Sequence, residues 1–82
     1  MTYRVEFRPR AAEQTIGLSA DAYVALVQAL GIVSRDPFDE KTTLATPDVH
    51  VRRVVFGGAG MASFYIDPAA ELISVFAVVW AG

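Results

Sequence analysis

The chain has 82 residues, 54% of them hydrophobic and 20% charged, with a net charge of -2 and no cysteine. That length holds one domain and excludes two, the composition excludes a disordered tail, and the lack of cysteine excludes a disulfide framework and thiolate metal sites. The charge balance gives no general polyanion-coating surface, and no apolar run reaches the roughly 18 residues of a membrane span.

The opening Met1-Thr2-Tyr3-Arg4-Val5-Glu6-Phe7 alternates apolar and polar residues, which predicts a half-buried strand and not a secretory signal. Pro9 ends it. Arg10 to Ile16 predicts about two helical turns, with Gly17 as a C-terminal cap. Ser19 suits an N-cap, and Tyr23, Leu26, Val27, Leu30 and Val33 recur at helical spacing, predicting an amphipathic helix from Ala20 to Ser34. Gly31 weakens its last turns by about 1 kcal/mol relative to Ala, and Asp36-Pro37 supplies the stop.

Arg35 to Asp48 is polar with no steady period and reads as a loop anchored by Phe38 and Leu44. Val49 to Phe56 is β-branched and predicts a strand, Gly57-Gly58-Ala59-Gly60 a turn, and Met61 to Ile66 a further strand. Asp67-Pro68-Ala69-Ala70 predicts a second turn and Glu71 to Trp80 the last strand. The expectation is an α+β domain of order β-α-α-β-β-β, with a helical hairpin on an antiparallel sheet.

Several pieces together carry a resemblance: Tyr3-Arg4-Val5-Glu6-Phe7, two helices, Asp36-Pro37-Phe38, Val51-Arg52-Arg53-Val54, and Ser63-Phe64-Tyr65-Ile66-Asp67 leading into a hydrophobic strand. In this order they resemble the RelE/ParE superfamily over residues 1–82, as a single domain. The resemblance implies the toxin of a type II toxin–antitoxin pair, bacterial, inhibiting growth through translation and mRNA or through gyrase, and neutralised by a small antitoxin. The lack of cysteine suits a reducing cytoplasm, the default location. The spacing of Asp36, Asp39, Glu40 and Asp48 matches no calcium loop, and no cofactor or metal is expected. The alternative is a non-catalytic domain that keeps the fold to bind a protein partner or to form a homodimer.

An enzyme of this family would be a metal-independent endoribonuclease, needing a base near the 2'-hydroxyl, a proton donor and cations for the phosphate. The family's basic and C-terminal positions are occupied here by Met61-Ala62 and by Val79-Trp80-Ala81-Gly82, and nothing after Arg53 is Lys, Arg or His. The candidate polyanion-binding residues are therefore His50, Arg52 and Arg53. The adjacent arginines resemble a pair in the YoeB branch, and His50 is the only imidazole. Alternation puts His50 and Arg52 on one face with Val54 and Phe56, and Arg53 on the other. The plainer expectation is one solvated arginine, one paired with a carboxylate such as Glu6, and a surface histidine. Tyr65 reads as a sheet aromatic. In the last strand, alternation sets Ile73, Val75, Ala77 and Val79 against Leu72, Phe76, Val78 and Trp80, leaving both faces apolar, so Phe76, Val78 and Trp80 are the candidate partner-binding residues, Trp80 reading equally as core or as a partner's anchor.

Overall fold

The computed structural model describes residues 2–82, so Met1 of the opening segment lies outside it. The elements are β1 (Arg4–Phe7), α1 (Pro9–Ile16), α2 (Ala20–Val33), β2 (Leu44–Ala45), β3 (Val51–Phe56), β4 (Gly60–Asp67) and β5 (Leu72–Trp80). The strands form one sheet in the order β1-β5-β4-β3-β2, with both helices on one face.

The sheet is mixed and not wholly antiparallel. β3, β4 and β5 form the expected meander, but β1 lies parallel to β5, with Arg4 opposite Leu72 and Phe7 opposite Val75. The helical hairpin carries the chain across the sheet to the far side of β3. Two tight reversals then bring β5 back beside β1, running in the same direction. A second addition is β2, which takes two residues of the expected loop and pairs them with Arg53 and Arg52.

α1 starts with Pro9 in the first turn, where a missing N–H costs nothing. α2 starts at Ser19, whose Oγ accepts from the Ala22 N–H at 3.2 Å. The residues of α2 that are buried are Ala22, Leu26, Leu30 and Val33. Tyr23 and Val27, expected on the buried stripe, are 48% and 50% exposed; the small residues Ala22, Ala25 and Ala29 face the sheet in their place. Burying each of the larger aliphatic side chains stabilises the fold by about 1.5–3 kcal/mol.

β5 departs from simple alternation. Ser63 pairs with Ala77 but Phe64 pairs with Val75, so Phe76 is an extra residue in a β-bulge. The bulge switches the inward parity, and Ile73, Val75 and Val78 are all buried on the helix side. Beyond Val75 the outer edge of β5 has passed the end of β1, and the Gln14 side chain of α1 takes over there: its Oε1 accepts from the Val78 N–H at 2.7 Å.

The β3–β4 turn uses Gly57 and Gly58 at φ of 60° and 76°, where glycine avoids the Cβ clash. In the β4–β5 turn the same region is occupied by Glu71, at φ 52°. Replacing Glu71 by Gly should relieve that clash and raise stability by about 0.5–1 kcal/mol, read as a higher urea midpoint. An unchanged or lower midpoint would show that Glu71 is not strained there.

Candidate functional site

The face of the sheet opposite the helices has no covering element among the described residues. β3 alternates so that Arg52, Val54 and Phe56 are buried on the helix side while Arg53 and Val55 are exposed on the open side. Register places Val51, Arg53 and Val55 beside Tyr65, Ser63 and Met61 of β4, and Met61 beside Val79 of β5. The centre of the open face is therefore neutral: Ser63, Met61 and Tyr65 on β4, with Ser74 and Val79 on β5. Its cations stand to the sides, Arg53 on β3 and Arg4 on β1.

The two adjacent arginines do different things. Arg52 is only 8% exposed, and its Nε donates to Thr43 Oγ1 at 2.6 Å while Nη2 reaches the Thr43 carbonyl at 3.5 Å. Thr43 Oγ1 in turn donates to the Asp39 carbonyl at 2.7 Å. Arg52 thus fastens the 35–48 loop to the sheet and is turned away from the open face. It does not pair with Glu6, whose carboxylate takes Arg4 Nε at 3.0 Å. Arg53 is exposed and has no ion pair among the described residues.

His50 stands one residue before β3 and not within it. Its N–H donates to Asp48 Oδ1 at 2.9 Å, its carbonyl accepts from the Ile66 N–H, and its ring stacks on Tyr65 at 5.8 Å between centroids. Phe38 also meets the imidazole edge-on, at 6.5 Å between centroids. The structure so joins His50 to Tyr65, a pairing that sequence reasoning missed because Tyr65 follows it by a whole hairpin. Arg53 lies diagonally across from Tyr65, roughly 7–8 Å away by strand geometry. An imidazole, a phenol and one guanidinium could stack a planar group and hold a single negative charge, but no second cation stands beside them for a phosphate in transit.

Of the residues expected at a partner surface, Val78 is 4% exposed and belongs to the core, because the bulge turned it inward. Trp80 is half-buried and stacks on Phe56 at 5.7 Å, closing the β3–β4 turn. Phe76 is half-buried at the bulge. Leu44, expected to anchor the loop, is 49% exposed; the fully buried Pro37 and the hydroxyl of Thr43 anchor it instead.

A further feature was not foreseen. Tyr3 with Val5 and Phe7 of β1, and Val27, Leu30 and Gly31 of α2 with its C-cap Ser34, line an apolar groove of about 260 Å³. β1 is the end strand of the sheet, and its bonds to β5 come from Arg4 and Arg8, so the main-chain groups of Val5 and Phe7 point away from the sheet. The sequence signal was the surplus of apolar residues on α2, more than one buried stripe can use. No group of His, Cys, Asp or Glu among the described residues is arranged to hold a metal, and no described helix is long and apolar enough to cross a membrane.

If Arg52 fastens the loop, Thr43→Val should destabilise the protein by about 1–3 kcal/mol in urea denaturation, because a buried guanidinium loses its acceptor. Arg53→Ala should stay within about 0.5 kcal/mol of the parent. Equal effects would contradict the division of roles.

By sequence, no protein-family model and no curated protein matches the chain. By structure, it superposes on the RelBE2 toxin–antitoxin complex of Mycobacterium tuberculosis with a TM-score of 0.83 at 18% identity, covering 99% of this chain and 100% of that one. The isolated RelE toxin of Escherichia coli gives 0.81 at 18% identity, covering 98% and 85%. The archaeal RelE–RelB complex of Pyrococcus horikoshii gives 0.77 at 20% identity, covering 100% and 98%.

Proposed function

We propose that this chain, which has the fold of the RelE toxins, is the toxin component of a type II toxin–antitoxin pair, held inactive by a small antitoxin and acting in the cytoplasm by protein contact instead of RNA cleavage. The observation that carries the reading is the full-length likeness to RelE toxins combined with a neutral open face. Three of the similar structures are toxin–antitoxin complexes, and a fourth holds the E. coli toxin with a peptide of its antitoxin. The free edge of β1 and the apolar groove beside it suit an extended antitoxin segment, which would bond to Val5 and Phe7 and place apolar side chains against Val27 and Leu30.

The reading of the cellular target is supported by what the open face can hold. A ribosome-dependent ribonuclease needs several cations around the scissile phosphate, and β4 and β5 carry none. Arg53, His50 and Tyr65 are the residues of that face able to meet a polyanion, with Arg52 withdrawn into the loop latch. A protein target, of which gyrase is one candidate, asks only for an apolar face with a few polar groups. Phe76, Val55 and Val79 supply that.

A second reading has its own support in the nearly charge-free hairpin. In that reading the chain is a non-toxic RelE-like domain that keeps the fold solely to bind another protein.

Induced expression in a bacterial host separates the two. The toxin reading expects growth arrest, relieved when the small open reading frame adjacent to the gene is co-expressed. Normal growth at full expression of folded protein would overturn it and leave the binding domain. Given arrest, the double change His50→Ala with Arg53→Ala should leave killing within about twofold of the parent, since neither residue is needed for an apolar contact. Loss of killing would instead assign the activity to polyanion binding.

A further inference from the structure

α2 is apolar nearly all round, although only one side of it meets the sheet. On its outer side Tyr23, Val24, Val27 and Ile32 are each about half exposed, at 48%, 53%, 50% and 53%. Gly31 completes the stripe, and a Cβ placed there would meet nothing within 4 Å. The sole charge on the helix is Asp21, in the first turn, and the first charge beyond it is Arg35, just past the C-cap. Both are exposed.

We infer that this outer stripe is a self-association surface, on which α2 of a second copy of the chain packs antiparallel about a two-fold axis near Val27 and Gln28. Val24 and Gly31 lie two helical turns apart on the same stripe. Antiparallel packing about that axis sets Val24 of each copy over the open space at Gly31 of the other, so one rotation satisfies both contacts. The same register brings Asp21 of each copy beside Arg35 of the other, on the same flank of the helix pair. It also opposes the helix dipoles, with each positive N-terminus near a negative C-terminus. Charge complementarity thus selects a second copy in this one orientation.

The free edge of β1 does not favour self-pairing. Antiparallel pairing of two β1 edges through Val5 and Phe7 would set Glu6 against itself, and Arg4 against Arg8. The main-chain edge of β1 therefore stays available to a different chain. Val27 and Gly31 also line the groove beside it, so a segment filling that groove and a second α2 would compete for them. The proposal does not depend on the toxin reading. A contact made by one helix is small, so the association is reversible, with a Kd on the order of 10–100 µM.

Sedimentation velocity of the purified chain over a concentration series spanning that range tests the proposal. The parent should shift from monomer to dimer. Val24→Asp, an exposed position whose change should leave the circular dichroism spectrum intact, should weaken the dimer at least about tenfold by burying a charge. Asp21→Arg should weaken it about three- to tenfold, and adding Arg35→Asp should restore it to within about twofold. A parent that stays monomeric throughout, a dimer indifferent to Val24→Asp, or a charge swap that fails to restore association would each overturn the proposal.

Discussion

The β-bulge at Phe76 is the constraint on which the rest of the structure depends. A strand with strict alternation could bury Ile73 and Val75 or Val78 and Trp80, but not both pairs on the same side. The extra residue opposite Ser63–Phe64 switches parity once, so that both halves of β5 feed the single core beneath α1 and α2. It also places the Val78 N–H where Gln14 of α1 can accept it, which fixes the first helix against the strand beyond the end of β1. Without the switch the last turn of β5 would present its aromatic to solvent, and the β3–β4 turn would lose Trp80.

With the helix-side core assigned in this way, the opposite face is what remains, and its chemistry is set by the sequence positions that alternate outward. Those positions hold Ser63, Met61, Tyr65, Ser74 and Val79, and a single cation, Arg53, on the inner strands β3 to β5. The neighbouring Arg52 shows how little a charge count says about function. It is buried, satisfied by Thr43, and spent on holding a polar loop in place. A RelE fold can therefore be complete while its open face lacks the cations that phosphate chemistry requires.

Much of this was legible in the sequence. The strand and helix order, the hairpin turns and the division of Arg52 from Arg53 followed from alternation, turn residues and capping, which are local signals. The parallel pairing of β1, the short strand at Leu44–Ala45 and the bulge were not, because each depends on which distant segment lies alongside. The candidate site divided in the same way. Alternation separated Arg53 from Arg52, but with valines on both faces it did not say which arginine points outward, and the stacking of His50 on Tyr65 and the capture of Arg52 by Thr43 are contacts across separate elements. Val78 was misplaced because of the parity switch, and Tyr23 and Val27 because small alanines sit where the helix meets the sheet most closely.

The central claim is that this chain keeps the toxin fold without the ribonuclease chemistry. The most direct test incubates the purified chain with translating ribosomes on a defined mRNA and maps the 5' ends that result. The account predicts intact message, unchanged from a control without the protein. Cleavage at discrete positions that His50→Ala or Arg53→Ala removes would contradict it, and would make the stacked histidine and its arginine the active site.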